Sequence, residues 1–242
     1  MVETRRIAMW SGPRNISTAM MYSFHSRSDT FCSDEPFYSH YLSATGVNHP
    51  DARNVIKEGD TNWKKVVEIL TSTPPDGSQI WYQKHMCHHI IEGMDLDWIN
   101  SLTNCFLIRN PREVLLSLTK KTEVVDAWAT GLPQQAIIAD MVLESDNPLI
   151  VVDAKDILLD PNSMIRKICN ILEITFEQSM LSWEAGPKDC DGTWAPHWYD
   201  AVWQSTGFAE YQPRLGNLTD EYESVLEEVM PIYQKLHSQR LV

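Results

Sequence analysis

Four short apolar segments, separated by helix-like stretches, constrain the fold of this 242-residue chain more than any other feature. Each is a run of apolar residues rather than a strict alternation of apolar and polar ones, as expected for a strand covered on both faces of a sheet. The predicted strands are RRIAMWSG (5–12), SQIWYQKHM (78–86), TNCFLIRN (103–110) and NPLIVVDA (147–154). Strands that alternate with helices favour parallel pairing, so the sequence predicts an α/β fold with a central parallel sheet flanked by helices.

Apolar spacing and capping residues predict the helices. The clearest reads DPNSMIRKICNIL, in which Asp160 is a suitable N-cap and Pro161 a favourable first helical residue. The predicted helices span 17–26, 62–70, 112–121, 160–172 and 219–236. Residues 182–211 are rich in Trp, Gly and Pro and have weak periodicity, which is typical of an ordered but irregular segment. We expect a single domain over residues 1–242.

Composition and charge narrow the range of partners. Hydrophobic residues make up 43% of the chain and charged residues 22%, which is enough apolar material for a sizeable core. The formal net charge is −13, whereas binding to nucleic acid or to an anionic membrane surface needs a basic field. We therefore expect neither partner. An anion could still bind to locally placed cations and backbone N–H groups.

Cysteine usage and hydropathy favour a cytoplasmic protein. The five cysteines are an odd number and none lies in a C-x-x-C pair, which argues against a disulfide framework or a zinc ribbon. No apolar run approaches the 18 residues of a membrane span, and the apolar stretch near the start is too short for a secretory signal. The sequence thus predicts no membrane insertion.

The segment WSGPRNISTA (10–19) has the composition of an anion-binding turn. It follows the first predicted strand and leads into a helix, whose first N–H groups are unpaired and carry partial positive charge. Arg14 adds a guanidinium group, and Ser17 and Thr18 add hydroxyl donors. The Gly-Lys-Ser/Thr of a Walker A loop is absent, which counts against a metal-dependent NTPase. The alternative is a plain turn with a surface arginine.

A second basic element follows the third predicted strand, in LIRNPREVLLSL. Arg109 ends the strand and Ser117 lies eight residues later, inside the next helix. A strand end and a helix two turns further on can converge on one ligand group. The alternative is that Arg109 forms a salt bridge and Ser117 is an ordinary helix serine that bonds to the backbone.

Together, Pro13–Thr18 and Arg109–Ser117 resemble the sulfotransferase family that uses 3′-phosphoadenosine 5′-phosphosulfate (PAPS), and are closer to its bacterial and carbohydrate-type members than to its cytosolic branch. The resemblance implies a three-layer P-loop-type fold, PAPS as the donor, 3′,5′-ADP as the product, and no metal. It assigns the 5′-phosphosulfate to Pro13, Arg14, Asn15, Ile16, Ser17 and Thr18. It assigns the 3′-phosphate to Arg109 and Ser117.

The chain departs from the family pattern at three places. Ile16 stands where the loop usually has a glycine, and Met86 stands where the cytosolic branch has a histidine base. The late basic loop of that branch has no counterpart in HWYDAVWQSTGF (197–208), which contains neither Arg nor Lys. Contacts from the C-terminal region to the adenine and the 3′-phosphate are therefore not predicted.

The resemblance also suggests catalytic residues. Arg14 and Lys84 would stabilise the charge that develops during transfer. The candidates for the base that takes the acceptor's proton are Glu35, His85 and His88. Glu35 lies in DEPFY, which is similar to a Glu-Pro element of carbohydrate-type and bacterial members. Three histidines close to Cys87 leave a metal site open as an alternative.

The predicted function is therefore the transfer of a sulfuryl group from PAPS to the hydroxyl of a small-molecule acceptor, by in-line displacement. Two alternatives remain at this point. One is a non-catalytic relative that binds 3′-phosphorylated nucleotides, and the other is a P-loop kinase of nucleotides or small molecules. The sequence does not identify the acceptor.

Overall fold

A computed structural model of the chain describes residues 4–119, 126–145 and 147–242. Over these ranges five strands form one parallel sheet in the order β2-β3-β1-β4-β5, so that β1 lies at its centre. The strands are β1 (Arg5–Ser11), β2 (Thr30–Asp34), β3 (Ile80–Met86), β4 (Thr103–Ile108) and β5 (Ile150–Asp153). The predicted α/β fold with a central parallel sheet is confirmed, although only four of the five strands were predicted.

Eleven α-helices connect or follow these strands within the described ranges. They are α1 (Ser17–His25), α2 (Tyr38–Thr45), α3 (Ala52–Glu58), α4 (Trp63–Leu70), α5 (Pro111–Leu118), α6 (Leu132–Glu144), α7 (Ala154–Leu159), α8 (Pro161–Ile171), α9 (Ala195–Trp198), α10 (Asp200–Trp203) and α11 (Asp220–His237). The predicted helices correspond to α1, α4, α5, α8 and α11. The helix predicted over 112–121 ends at Leu118, and its last two residues lie outside the described residues.

Both faces of the sheet are covered, as the short apolar strands predict. Along β1, Ile7 and Met9 pack into a core cluster with residues of α1 and α8, whereas Ala8 and Trp10 pack into a second cluster with residues of α4, α6 and α11. All four side chains are fully buried. Because successive side chains of a strand point to opposite faces, this partition shows a three-layer arrangement with helices on each side.

The carboxyl ends of the two central strands are joined by one amide side chain. Gln135, fully buried on α6, donates from Nε2 to the carbonyl oxygens of Trp10, at 3.0 Å, and Leu107, at 3.1 Å. Asn15 donates to the same Leu107 carbonyl at 3.2 Å. These bonds fix the loop after β1 against the end of β4, since buried carbonyl groups must be paired.

Gly12 is required at the end of β1 by a close backbone approach. A Cβ at this position would lie 2.0 Å from the carbonyl oxygen of Thr130, well inside contact distance. Only glycine allows the chain before α6 to cross directly over the end of β1.

The sequence analysis did not predict β2 or six of the described helices, α2, α3, α6, α7, α9 and α10. In β2 and α6, polar residues interrupt the apolar pattern. β2 is an edge strand with the sequence TFCSD, in which three of five residues are only partly buried. The buried face of α6 includes Gln134 and Gln135, which disrupts the helical apolar pattern. The segment 182–211 contains the two one-turn helices α9 and α10. Among the helices that the structure describes, none is both long and apolar enough to cross a bilayer.

Candidate functional site

A cleft of about 710 Å³ lies at the carboxyl ends of the strands. The β1–α1 loop, the residues after β2, the end of β3, Arg109 after β4, and parts of residues 198–214 line it. This edge is where parallel α/β sheets bind ligands, because the strand-to-helix loops meet there. The cleft divides into a half beside β1 and β4 and a half beside β3 and β2.

The β1–α1 loop has a strained backbone. Arg14 has φ = 63° and Ile16 has φ = 58°, both in the left-handed region that glycine normally occupies. For Ile16, whose Cβ is branched, such strain costs about 1–3 kcal/mol. Ile16 is also the N-cap of α1, and no side chain caps the helix there. The first N–H groups of α1 therefore have no capping side chain, and Ser17, Thr18 and Ala19, which carry them, line the cleft. Such N–H groups are suitable donors to an anion.

The two basic elements predicted from sequence meet at Arg14. Its Nε donates to the Ser117 hydroxyl at 3.0 Å, and its backbone carbonyl accepts from Arg109 Nη1 at 3.1 Å. Arg109 is held in turn by Glu113, at 3.0 Å from its Nε and 2.7 Å from its Nη2. Arg14 and Arg109 thus line one cleft, whereas Ser117 is buried beneath Arg14 and is not among the cleft-lining residues.

Arg214 adds a third guanidinium group that the sequence analysis did not find. Burial, together with Arg214 and Arg109, lowers the pKa of Arg14, and burial with Arg109 lowers the pKa of Arg214. The Nε of Arg214 is buried without a hydrogen-bond partner. Within this group Glu113 supplies the compensating carboxylate, so positive charge exceeds negative charge and an anion would be stabilised. Arg214 lies just beyond the stretch 197–208 in which a late basic loop was sought.

The other half of the cleft contains a buried ion cluster. Lys84, at the end of β3, places its Nζ 2.7 Å from Asp34 Oδ1 and 2.6 Å from Glu35 Oε1. The same Nζ is 2.5 Å from the hydroxyl oxygen of Tyr199, which donates to Asp34 Oδ2 at 2.7 Å. Gly192 donates its backbone N–H to Asp34 at 3.1 Å. Asp34 and Tyr199 were not predicted, because nothing in their local sequence marks them as ionic partners of Lys84.

These contacts saturate Lys84. An ammonium group has three N–H donors, and Asp34, Glu35 and Tyr199 accept all three. Burial alone would lower the pKa of Lys84, but the two carboxylates outweigh it and raise that pKa. Burial raises the pKa of Glu35 despite Lys84, and Asp34 adds to the increase. Glu35 has φ = 42°, so its carboxylate is held on a strained backbone at the cleft wall.

Of the three catalytic residues predicted in the segment 84–89, two lie in the cleft and one does not. Lys84 and His88 line the cleft. His85 does not: it is stacked on Trp10 with ring centroids 4.3 Å apart, and its Nε2 is 3.2 Å from Gln83 Oε1. Burial lowers the pKa of both His85 and His88 to about 3, so both rings are neutral at pH 7. The structure does not bring His85 to the site.

Aromatic rings and a further histidine form the wall beside β3. His89 is stacked between Tyr38, with centroids 4.8 Å apart, and Tyr41, also at 4.8 Å. Its Nε2 lies 3.9 Å from Glu35 Oε2, and burial holds its pKa well below the usual value. Met86 lines the same part of the cleft. His89 was passed over in the sequence because His85 and His88 were weighed as bases instead.

A group of side chains able to hold a metal ion lies outside the cleft. Within the described ranges, His25, Asp189 and Cys190 have ligand atoms within 4.8 Å of one another, and none of the three lines the cleft. The histidines near Cys87 do not form such a group in the described part of the chain.

A model of the "Sulfotransferase domain" family matches residues 5–240, which is almost the whole chain. The chain belongs to the sulfotransferase family.

Curated relatives extend well beyond this sulfotransferase domain. It is 35% identical over 239 residues to "Branched-chain-amino-acid aminotransferase-like protein 1" of Arabidopsis thaliana, covering 98% of this chain and 42% of the relative. It is 33% identical over 230 residues to "Branched-chain-amino-acid aminotransferase-like protein 2" of the same plant, covering 95% of this chain and 41% of the relative. The domain thus spans about two-fifths of each, and their names describe proteins of more than twice its length.

Solved structures agree on the fold. A sulfotransferase from Alicyclobacillus acidocaldarius superposes with a TM-score of 0.56 at 9% identity, covering 100% of this chain and 98% of that one. The sulfotransferase domain of the Synechococcus PCC 7002 olefin synthase gives 0.51 at 13% identity, covering 93% and 95%. At these identities the likeness supports the fold of the domain alone.

The low pKa of His88 predicts acid sensitivity. The folded state keeps His88 neutral down to about pH 3, whereas the unfolded chain binds a proton near pH 6.5, so this contribution to stability is complete above pH 6.5 and is lost as the pH falls. Replacing His88 by Gln removes it. The free energy of unfolding, measured with urea, should decrease between pH 6.5 and pH 5 in both proteins. In H88Q this decrease should be smaller than in the wild type by about 1–2 kcal/mol. Equal losses in the two proteins would contradict the assignment.

Proposed function

We propose that this domain transfers a sulfuryl group from PAPS to an acceptor hydroxyl. One observation carries the proposal: Arg14, Arg109 and Arg214 gather in one half of the cleft with Glu113 as their compensating carboxylate. A ligand with anionic groups at two separated positions would relieve this excess of positive charge. The unpartnered Arg214 Nε supports the same conclusion, since a buried donor without an acceptor is unfavourable.

In this proposal the residues of the first loop bind the 5′-phosphosulfate. Arg14 and the N–H groups from Asn15 to Thr18 supply the charge and the donors, while Pro13 and Ile16 shape the loop. Arg109 and Ser117 bind the 3′-phosphate, and Arg214 joins them from the C-terminal side. The hydrogen bond between Arg14 and Ser117 supports a shared site, because it joins the two binding elements directly. No residue is assigned to a metal.

Glu35 is the base that we propose for the acceptor hydroxyl. As the acceptor oxygen forms its bond to sulfur, its proton passes to the Glu35 carboxylate, and the bond from sulfur to the 5′-phosphate oxygen breaks with its electron pair leaving on 3′,5′-ADP. A raised pKa suits a carboxylate to this role, since a base works best when its pKa is close to the working pH. His88 is the alternative base, but its low pKa makes it a weak one. Lys84 positions Glu35 rather than contacting the sulfuryl group.

The charge balance of the β3–β2 half favours an uncharged acceptor. Lys84 has no N–H left to offer, and His88 and His89 are neutral at pH 7. An acceptor with its own carboxylate or phosphate would meet Glu35 without a compensating cation, which costs free energy in a buried site. The stacked rings of Tyr38, His89 and Tyr41 offer an apolar wall instead.

Nucleotide binding tests the donor site. At 100 times its Kd, 3′,5′-ADP should stabilise the domain by about 2.7 kcal/mol, which raises the Tm by roughly 5–10 °C for a chain of this length. ADP without the 3′-phosphate should raise it less, and Arg109→Ala should abolish that difference. Arg112→Ala is the matched control, because Arg112 pairs with Glu223 and does not line the cleft. A shift with ATP·Mg²⁺ alone would refute the proposal in favour of a kinase.

Substitution of Glu35 tests the chemistry. Glu35→Gln should lower kcat for transfer of the ³⁵S-labelled sulfuryl group by roughly 10²–10⁴-fold, because the proton acceptor is lost, while 3′,5′-ADP still binds among the arginines of the other half of the cleft. Glu210→Gln is the control, because Glu210 also lines the cleft but is exposed. A wild-type rate in E35Q would rule out this base. Binding of 3′,5′-ADP by the wild type, without transfer to any of a broad set of hydroxyl compounds, would instead indicate a non-catalytic nucleotide-binding protein.

Paired acceptors test the charge preference. Two hydroxyl compounds that differ only in one carboxylate should differ in kcat/KM by at least about tenfold in favour of the uncharged one, because each 1.4 kcal/mol of repulsion corresponds to a factor of ten. The comparison is made at saturating PAPS and at two salt concentrations. Equal kcat/KM values, or a preference for the anionic member, would contradict the proposal.

A further inference from the structure

A group of three potential metal ligands lies outside the cleft, where α1 meets the segment 182–211. His25 is the last residue of α1, and Asp189 and Cys190 lie in a turn of that segment. Their ligand atoms all fall within 4.8 Å of one another, and His25 Nε2 is 2.7 Å from Asp189 Oδ1. Side chains 164 residues apart in the sequence are thus brought together by the fold.

The three ligand types together match the preferences of zinc. Zinc binds imidazole nitrogen at about 2.0–2.1 Å, carboxylate oxygen at about 2.0–2.2 Å and thiolate sulfur at about 2.3 Å, usually with tetrahedral geometry. Ligand atoms around such an ion are roughly 3.3–3.8 Å apart, by geometry from these bond lengths. Small rotations of the exposed Asp189 and the partly buried Cys190 would bring their ligand atoms to these separations.

The surroundings of the group are electrically negative. The C-terminal carbonyl groups of α1 carry partial negative charge, which favours a cation beside His25. Asp34 and Asp191 also act electrostatically on Cys190. Lys188 is adjacent to Asp189 in the sequence, but its ammonium group donates to the Glu184 carbonyl at 2.7 Å. The field at the group therefore favours a divalent cation.

We propose that His25, Asp189 and Cys190 form a zinc site that fastens the segment 182–211 to α1. Binding replaces the hydrogen bond between His25 and Asp189 by two metal–ligand bonds, and the thiol proton of Cys190 passes to solvent. Three protein ligands leave one tetrahedral position for water. The fastened segment also carries Gly192 and Tyr199, both of which donate to Asp34. Zinc thereby supports the ion cluster without touching the cleft.

Cobalt(II) and zinc(II) titrations of the chelator-treated protein test the site. We expect one equivalent of Co²⁺ to give tetrahedral d–d bands and a thiolate-to-cobalt charge-transfer band, and Zn²⁺ to displace both. Asp189→Asn should weaken Zn²⁺ binding at least tenfold in calorimetry without disturbing the fold, since 89% of the Asp189 side chain is exposed. Cys190→Ser should abolish the charge-transfer band, and His25→Gln should weaken binding as D189N does.

Matched controls separate this site from adventitious binding. Cys169→Ala and His197→Gln change the same residue types at positions outside the group and should leave the cobalt spectrum and the zinc affinity unchanged. Zinc should also raise the Tm of the wild type more than that of D189N at the same concentration. Absence of the charge-transfer band, or zinc affinity that is the same in D189N, H25Q and the wild type, would overturn the proposal. None of these readouts depends on sulfuryl transfer.

Discussion

Two hydrogen bonds from one buried amide hold the site in place. Gln135 donates to carbonyl groups near the ends of both β1 and β4, and Asn15, from the loop after β1, donates to the carbonyl group of β4. Arg109 directly follows β4, and Arg14 lies in the loop that follows β1. Their separation is therefore set by the pairing of the central strands and not by the long side chains themselves, and a binding site for two anionic groups needs that kind of fixed spacing.

The two halves of the cleft differ in their charge balance. Beside β1 and β4, the guanidinium groups of Arg14, Arg109 and Arg214 lie close to one another and to Glu113, so the field there favours anions. Beside β3 and β2, Lys84 donates all three of its N–H groups to Asp34, Glu35 and Tyr199. A molecule with phosphate groups is thus favoured on one side and a neutral molecule on the other. This asymmetry is consistent with the proposed transfer from an anionic donor to an uncharged acceptor.

The sequence predicted what local pattern can encode. Apolar runs located four strands. The spacing of Arg109 and Ser117 predicted that these two residues converge on one ligand group, and in the structure each of them forms a hydrogen bond with Arg14. β2 and α6 were missed because their buried faces carry polar residues, whose partners are distant in sequence. For the same reason the sequence analysis did not identify three residues of the site, because each contacts its partners only in the folded chain. They are Arg214, Asp34 and Tyr199. His85 was expected in the site but lies outside the cleft, stacked on Trp10. The sequence at the end of a strand does not show to which face of the sheet each of its last side chains points.

The contact between Tyr199 and Asp34 spans 165 positions, and protein synthesis makes those positions in order. While the ribosome is still adding the middle of the chain, Asp34 and Lys84 already exist but the phenol that bridges them does not. The ion cluster beside β3 and β2 is therefore completed late, after all five strands have been synthesised. A nascent chain that stalls before Tyr199 would keep a recognisable core and yet leave Asp34 and Lys84 without their bridging phenol.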